Sequence, residues 1–397
     1  MIFSLEALQA GAGDCLLLHF GPAKTPRFLL IDGGPAGIYA GSLKPRLQSL
    51  PKQAGGQPRL ELALVSHIDD DHIHGVLDLL NGLVTARDRS EPGLCEIREL
   101  WHNSFDGLWS RVAGAHTASV PNLLASLEGG TFPASDGDAP LRSRLVLASV
   151  AQGGKVRAAA VALGIPVNDG FAGGLVAAEK AGAPADFDGL KLTVLGPRQG
   201  ELDDLRALWA KEQAQLALKS AKEKMACLAD FANRTAENLS SIVLLAEFQQ
   251  ARMLLPGDCG GDLILQNLER RGIMKEGGTF AVDLMKVPHH ASSHSLDQAF
   301  FQRIPAKYYV ISGNGKHGIP HPDALGWLSS ARAGQEYDAL LTNRTGEQDL
   351  TVHLDAFLKY EAKKQPQHRY HFRSESDLSI RVDLLDRVRY LKMCTEL

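Results

Sequence analysis

Short runs of apolar residues alternate with glycine- and proline-rich turns over the first hundred positions of the chain. The runs that have the length and side-chain content of strands are 3–8, 15–20, 28–31, 62–66 and 97–101. The run at 62–66 is continuously apolar, which is typical of a strand buried on both faces. The apolar spacing changes to the helical period at 73–83, and a short helix is predicted at 43–50.

The same alternation of strands and helices resumes after position 240. The runs that predict strands there are 241–248, 253–255, 282–287, 307–312, 339–342, 350–354 and 378–385. Helical spacing returns at 261–271 and 322–331. Strands that alternate with helices in this way predict a mixed α/β (α+β) core, built as a sandwich.

The segment between these two parts has a different texture. Alanine and leucine dominate it, with helical spacing at 141–163 and 202–231 and strand character at 190–195. The predicted division of the chain is a core formed by 1–103 and 238–397, and a mostly helical insertion at 104–237 that carries one core strand. Two roles for the insertion fit the sequence equally well: a lid over a site, or helical elaboration without a role there.

Composition narrows the class of protein. Of the 397 residues, 44% are hydrophobic and 22% are charged, which is ordinary for a soluble globular protein. A net charge of −4 gives no whole-molecule attraction to nucleic acid or acidic lipid. The five cysteines are odd in number and none has CxxC spacing, which argues against a disulfide scaffold and a thiolate zinc knuckle.

The first residues contain no targeting pattern. No basic segment precedes the initial apolar residues, and Glu6 follows at once, so we expect no signal peptide. The chain has no run of about 18 apolar residues, so we expect no membrane span. A reducing cytoplasmic location is the resulting expectation.

Histidines and aspartates crowd the loop that follows the continuously apolar run. His67, Asp69 and Asp71 occupy every second position, so an extended loop directs their side chains to one side. His72 opens the next predicted helix and can reach the same cavity from its first turn. Two imidazoles and two carboxylates at this density can bind two neighbouring divalent cations. The alternative is a solvated acidic loop with incidental histidines.

Three later segments carry the same residue types. Asp258 stands in a Gly-Asp corner after an apolar strand; alone it is a turn or cap residue, but beside the first motif it becomes a carboxylate that bridges two metals. One of His289 and His290, with His290 preferred, is predicted to bind a metal, while the other orients it or contacts substrate. His321 is fixed by two flanking prolines, which suits a ligand or a substrate contact, against the alternative of a plain loop histidine.

Further polar residues adjoin these motifs. Asp14 and Asp32 lie beside glycine turns and are either Asx-turn residues or carboxylates that hold a ligand histidine in its tautomer. His102 and Asn103 either line the cavity or form hydrogen bonds inside the core. His294 is interpreted as a surface residue or one that supports a ligand.

The order of these motifs resembles the metallo-β-lactamase fold superfamily, and within it the metallo-hydrolase domain of the ComEC-type competence proteins. The similar segments are Gly11–Asp14, Ile31–Gly34, Ser66–Gly75, Asn238 with Ser240 and Ser241, Pro256–Asp258, His289–Ser292, His321–Pro322 and Thr342–Gly346. They cover most of 1–103 and 238–355 by motif order more than by continuous identity. The chain departs from the pattern at His74, where the family has glycine, at Asp70, where it has alanine, and at Pro256, where it has threonine.

This resemblance implies an αββα sandwich with a helical insertion, and metals at the sheet edges where the strand-end loops converge. The implied metal ligands are His67, Asp69, Asp71, His72, Asp258 and His290. Asp69 stands where the family usually has an imidazole, and the extra carboxylate favours manganese relative to zinc. The expected cofactors are therefore two divalent metal ions, Zn or Mn.

Residues and resemblance together predict a metal-dependent hydrolase that cleaves phosphodiesters of DNA or RNA through a metal-bridging hydroxide. The predicted catalytic residues are Asp71, His289 and His321, one of the two histidines serving the leaving group. The basic residues considered for contact with a phosphate backbone are Arg142, Arg144, Lys155, Arg157, Lys363, Lys364 and Arg369. Each of them alone is equally well explained as a solvated surface residue.

Two other functions remain open at this point. The same fold hydrolyses lactones, thioesters and small phosphoesters, and a closed pocket under the insertion would favour such substrates. A non-enzymatic, metal-stabilised interaction module is the third hypothesis, motivated by the charged helix predicted at 202–231.

Overall fold

The computed structural model describes residues 1–52, 56–103, 152–204 and 241–385. Several sequence predictions lie outside these residues: the helix 141–163 before 152, the helix 202–231 from 205 onward, and Arg142, Arg144, Asn238 and Ser240. Residues 152–162 of the predicted insertion are helical.

The described strands in chain order are β1 (Ile2–Leu8), β2 (Leu16–Gly21), β3 (Arg27–Ile31), β4 (Arg59–Val65), β5 (Glu96–Ile97), β6 (Leu100–His102), β7 (Ala185–Phe187), β8 (Leu190–Gly196), β9 (Val243–Phe248), β10 (Ala251–Leu255), β11 (Val282–Lys286), β12 (Ala306–Ile311), β13 (Tyr337–Leu341), β14 (His368–Phe372) and β15 (Ser379–Asp383). The α-helices with defined ends are α1 (Lys44–Gln48), α2 (Asp70–Asp88), α3 (Gly261–Arg270), α4 (Gln298–Arg303), α5 (Pro322–Ala331) and α6 (Leu350–Lys364).

These strands form two sheets. The first has the order β15-β1-β2-β3-β4-β5, with β6 also paired to β4, and the second runs β14-β13-β12-β11-β10-β9-β8-β7. The strands from β3 to β6 pair in parallel, as do those from β10 to β14. Parallel strands place their carboxyl ends at the same edge of a sheet, so the loops that leave β3, β4, β10, β11 and β12 meet at one side of the molecule.

The side-chain alternation of the strands divides the core into three layers. Leu62 and Leu64 of β4 belong to the cluster that joins the inner faces of the two sheets, together with Leu244 and Leu284 of the second sheet. The intervening residues Ala63 and Val65 pack on the other face, against Ile73, Val76 and Leu80 of α2. The outer face of the second sheet is covered in the same way by α3 to α6. The predicted α+β sandwich is therefore confirmed, with helices on both outer faces.

Two glycines let the start of α2 pack directly on the end of β3. A Cβ atom added to Gly75 would lie 2.0 Å from the carbonyl oxygen of Gly33. Hydrogen bonds surround this contact: Gly33 N–H donates to His72 O at 2.7 Å, and Gly75 N–H donates to Gly34 O at 3.0 Å. The Gly-Gly turn after β3 thus fixes the first turn of α2, which carries His72.

The strand predicted at 350–354 is wrong, because these residues form the first turn of α6. Leu350 and Leu354 are buried four positions apart on the helix face that packs against the second sheet, while Val352 is 64% exposed. The alternation of Leu350, Val352 and Leu354 therefore resembles a strand, although only the two leucines, which have helical spacing, are buried. The strand-like segment 190–195 is β8, which pairs with β9.

Candidate metal centre

The predicted metal ligands are carried by loops at the shared edge of the two sheets. His67 follows β4, Asp258 follows β10, and His289 and His290 follow β11. A backbone hydrogen bond from Ile242 N–H to Ser66 O at 2.8 Å ties the two sheets together beside these loops. The strand ends therefore bring together residues that are far apart in the sequence, such as His72 and His290, which are 218 positions apart.

Asp258 lies at the centre of this edge and is 3% exposed. The Nε2 atoms of four histidines point at its Oδ2 atom, at distances of 3.4 Å for His72, 3.6 Å for His290, 3.8 Å for His67 and 3.9 Å for His289. A buried carboxylate oxygen that faces four ring nitrogens could serve as a ligand of a metal ion.

One group of ligand atoms has the dimensions of a tetrahedral site. The Nε2 atoms of His72 and His290 are 3.3 Å apart, and Asp71 Oδ2 lies 3.5 Å from His290 and 3.9 Å from His72. Metal–nitrogen bonds of about 2.0–2.1 Å in a tetrahedron separate neighbouring ligands by roughly 3.3 Å. His72, His290, Asp71 and Asp258 can therefore hold one ion with little movement.

A second group of ligand atoms shares the same oxygen of Asp258. His67 Nε2 is 3.6 Å from Asp69 Oδ2, and His289 approaches the same Asp258 oxygen. The backbone at His289, His290 and Ala291 has φ of 47°, 51° and 64°, the left-handed region that residues other than glycine rarely adopt. Such strain persists only where the surroundings impose it, and here it places two consecutive imidazoles on the same carboxylate.

Each of the four histidines is anchored through its Nδ1 atom. His67 Nδ1 is 3.0 Å from Ser66 Oγ, His72 Nδ1 is 2.9 Å from Asp32 Oδ2, His289 Nδ1 is 2.6 Å from Ser295 Oγ, and His290 Nδ1 is 3.0 Å from Ser312 Oγ. Donation from Nδ1–H leaves the lone pair on Nε2, which is the tautomer that binds a metal.

Asp32 supports two of these rings. It accepts hydrogen bonds from Ser66 N–H and Ser66 O–H, both at 2.7 Å, as well as the contact with His72. This geometry agrees with the second of the two roles considered for Asp32, a carboxylate that holds a ligand histidine in its tautomer.

Asp14 belongs to the same buried group, since its carboxylate and the ligand atoms of His72, Asp258 and His290 all lie within 4.8 Å of one another. Its closest contacts lead elsewhere, however: Oδ1 accepts from Ser312 O–H, and Oδ2 forms an ion pair with Lys286 at 2.5 Å. Because Asp14 faces Nδ1 of His290 rather than Nε2, we place Asp14 behind the ring and Asp71 in front of it.

The electrostatics of the group suit a cation. Burial alone would raise the pKa of Asp258, but His72, His290 and His289 hold that pKa well below its ordinary value. Burial lowers the pKa of His72, yet Asp258, Asp71 and Asp32 overcome this and raise it well above its ordinary value. Burial also lowers the pKa of His67 to about 3.

Within the described residues, His67 Nε2 and Asp258 Oδ1 are buried without a hydrogen-bond partner. A divalent ion would satisfy both atoms, so the cluster could hold a metal.

The other polar residues considered in the sequence analysis make different contacts. His321 precedes α5, its side chain is 38% exposed, and its backbone N–H donates to Ala291 O at 2.9 Å. His74, by contrast, contacts Asp70 on the surface of α2 at 2.9 Å. Asn103 exchanges two hydrogen bonds with the backbone of Val176, so it holds a loop in place.

Sequence reasoning missed the residues behind the imidazoles. These residues are Lys286, the last residue of β11, Ser295, five positions after His290, and Ser312, the first residue after β12. The sequence does contain an indication for Lys286. It lies two positions after Leu284 in an apolar strand, so both side chains point to the same face, and a lysine buried there needs a partner of opposite charge.

Changing Asp32 to asparagine is expected to weaken metal binding about 10- to 100-fold. The amide nitrogen would donate where the carboxylate accepts, which favours the His72 tautomer with its proton on Nε2. Metal affinity, measured by competition with a chelating dye, tests this. Asp188→Asn is the matched control, because Asp188 has a similar backbone (φ 51° against 58° for Asp32) but lies on the surface. Equal affinities for the two variants would contradict the role given to Asp32.

No family model matches this chain. Two curated proteins match a short segment of it. Microtubule-associated protein 1A from Rattus norvegicus and from Mus musculus each share 43% identity with it over 53 residues, which is 13% of this chain. The match spans 2% of the length of these relatives, so it describes a similar segment and not a similar protein. In the part of the chain that the structure describes, no helix combines the length and apolar character needed to cross a membrane.

Proposed function

We propose that this protein is a metal-dependent hydrolase of phosphodiesters, with nucleic acid as its substrate class. The observation that carries the proposal is the position of Asp258 Oδ2 between four imidazole Nε2 atoms, 3.4–3.9 Å away. Around this oxygen, one group of ligand atoms comes from His72, His290 and Asp71. A second comes from His67, Asp69 and His289. Such a shared carboxylate suits two divalent ions, which we take to be zinc or manganese.

When bound, two such ions supply an activated water near neutral pH and neutralise charge on a phosphoryl group. The protein residues fix where this happens. The Nδ1 anchors described above hold the imidazoles rigid, so no reorganisation is needed as charge develops. Resemblance to the metallo-β-lactamase fold superfamily in motif order supports the same reaction class.

The open side of the cluster is acidic. The side chains of Asp69 and Asp71 are 29% and 36% exposed, whereas those of His67, His72 and Asp258 are 4% exposed or less. A substrate therefore approaches past the two carboxylates. An anionic phosphodiester needs bound cations there to offset their charge, which fits a reaction that depends on metal.

The two histidines considered for the leaving group differ in the ring nitrogen that carries the proton. Asp323 N–H donates to Nδ1 of His321 at 3.2 Å, which leaves the ring proton of His321 on Nε2, where it can be donated. His289 is 16% exposed and lies at the accessible rim of the cluster. Burial lowers the pKa of His289, so this ring is neutral near pH 7. Its Nδ1–H donates to Ser295, which leaves the Nε2 lone pair free to bind a metal.

Basic residues near the open side support nucleic acid as the substrate. Gln152 donates to Asp70 Oδ1 at 2.8 Å and so attaches the helical segment 152–162 beside the acidic loop. Lys155 and Arg157 of that segment are exposed. Arg369 lies near the amino end of β14, at the opposite edge of the sheet, so the tail residues are not part of this proposal.

The proposal is tested with purified protein loaded with Mn²⁺, Zn²⁺ or Mg²⁺ and offered plasmid DNA, single-stranded oligonucleotides and RNA, beside a panel of lactones, thioesters and small phosphoesters. We expect metal-dependent cleavage of nucleic acid. Hydrolysis of the small esters alone would move the protein to the second substrate class. A protein that binds metal but cleaves nothing would refute the enzyme and leave the interaction module.

Asp71→Ala is expected to abolish this cleavage, because it removes a ligand oxygen 3.5 Å from His290 Nε2. Asp88→Ala, at the other end of α2, is the matched control, since Asp88 is exposed and contacts Arg87 instead. Cleavage rates and bound metal per chain are measured for both variants. Undiminished cleavage by the Asp71 variant would contradict its role.

A further inference from the structure

Lys286 brings a buried positive charge to the back of the metal cluster. It is the last residue of β11 and is 0% exposed. Lys286 is two positions after Leu284, so its side chain points to the same face of the strand, toward the core between the two sheets. Met285, between them, packs toward the outer helices. A buried ammonium is strongly unfavourable unless it is paired.

Within the described residues, the only ion pair that Lys286 forms is with Asp14, at 2.5 Å between Nζ and Oδ2. Asp14 precedes β2, so the pair joins the inner faces of the two sheets directly beneath the ligands. Burial alone would raise the pKa of Asp14, but Lys286 together with His290 and His72 keeps it below its ordinary value. The contact with Lys286 identifies the Asp14 carboxylate as the counter-charge of the buried ammonium.

The other oxygen of Asp14 continues the chain of contacts toward the ligands. Ser312 O–H donates to Asp14 Oδ1, so the Ser312 oxygen is left to accept from Nδ1–H of His290 at 3.0 Å. The Nε2 atom of His290 then faces Asp71 at 3.5 Å and Asp258 at 3.6 Å. Three side chains from three loops, Asp14, Ser312 and His290, thereby connect the buried ammonium to one nitrogen of the proposed ligand set.

The charge of Lys286 has a second consequence. Asp14 is close enough to His72, Asp258 and His290 for its carboxylate to share an ion with them. Electrostatic attraction to Lys286 holds one of its oxygens on the side away from the cluster, and Ser312 occupies the other. Without the lysine, Asp14 would be an uncompensated anion beside a cation site.

We propose that Lys286 is a positioning residue of the metal centre: it holds Asp14 as the acceptor for Ser312, so that Ser312 directs His290 at the metal and Asp14 stays outside the ligand set. This inference rests on the metal binding in the proposed function, but not on the reaction or the substrate.

Cobalt binding tests it without any substrate. Co²⁺ in a tetrahedral site absorbs visible light strongly, and the absorption falls when a further ligand joins. In Lys286→Met, Asp14 is free to become that ligand, so we expect the cobalt absorption to fall several-fold. In the double variant Lys286→Met/Asp14→Asn the additional anion is gone while the amide oxygen still accepts from Ser312, so we expect the wild-type spectrum to return. Lys307→Met is the matched control, because Lys307 pairs with Asp283 at 2.7 Å on the surface of the neighbouring strand.

A folded Lys286→Met protein with the wild-type cobalt spectrum and affinity would overturn the proposal and leave Lys286 a structural residue. If the Lys286→Met protein does not fold, Ser312→Ala tests the same chain of contacts. We expect it to bind cobalt about tenfold more weakly, because His290 loses its anchor. Unchanged affinity in Ser312→Ala would also overturn the proposal. Normal cobalt binding with no hydrolysis of any substrate would refute the proposed function alone, and a wild-type protein that binds no cobalt would refute both.

Discussion

Replacing Asp258 with asparagine is expected to reduce kcat/KM for metal-dependent hydrolysis by at least about 1,000-fold, or about 4 kcal/mol of transition-state stabilisation. The carboxylate is central because its Oδ2 atom is the common neighbour of four imidazole nitrogens. An amide is a weak metal ligand and cannot bridge two cations with a negative charge. The volume of the side chain is kept, so the β10 turn should survive.

The same change should lower the metal content, measured as bound ions per chain by elemental analysis. Asp262→Asn is the control, since Asp262 is exposed in the first turn of α3, four positions later. A variant that keeps one metal and loses activity would show that Asp258 mainly serves the second ion. Full activity in Asp258→Asn would contradict the bridging role.

The sequence predicts which residues gather at the centre better than it predicts their individual roles. Histidines and aspartates that follow apolar strands must lie at the strand ends, and parallel pairing brings those ends together, so His67, His72, Asp258 and His290 could be grouped in advance. The sequence cannot show which atom of a side chain faces which neighbour. That Asp14 stands behind His290 and Asp71 in front of it depends on backbone positions set by both sheets.

Residues that support the ligands are harder to predict than the ligands themselves. Ser295 and Ser312 are small, common residues, and their contact with an imidazole depends on the left-handed backbone at His289 and His290. Lys286 carries a pattern of its own, a charge at the inward position of a buried strand, but its partner Asp14 lies more than 270 positions away.

The helix at Leu350–Lys364 shows the same limit for the fold. Val352 and its β-branched neighbour Thr351 favour a strand locally. The apolar surface of the second sheet selects the helix instead, because Leu350 and Leu354 then cover it from one face. The local sequence favours a strand and a helix almost equally, and tertiary packing selects the helix.

Changing Gly75 to alanine is expected to destabilise the protein by about 3 kcal/mol, although alanine is the better helix former by about 1 kcal/mol. The added Cβ atom would lie 2.0 Å from Gly33 O and 2.7 Å from Gly33 C, and both belong to the backbone, which cannot move aside like a flexible side chain. The first turn of α2 must then separate from the end of β3. Because His72 lies in that turn and Asp32 precedes Gly33, their 2.9 Å contact should lengthen and metal affinity should fall as well.

Urea denaturation in the presence of a chelator measures the packing effect alone, since bound metal would add its own stabilisation. Gly326→Ala in α5 is the matched control, because its Cβ atom would meet nothing within 4 Å. There the gain in helix propensity acts unopposed, and we expect a stabilisation of about 0.5–1 kcal/mol. Opposite signs for two glycine-to-alanine changes in helices would show that the close approach of α2 to β3, and not helix propensity, accounts for the glycine at position 75. A Gly75→Ala protein as stable as the wild type would contradict that approach, and with it the way His72 is held against Asp32.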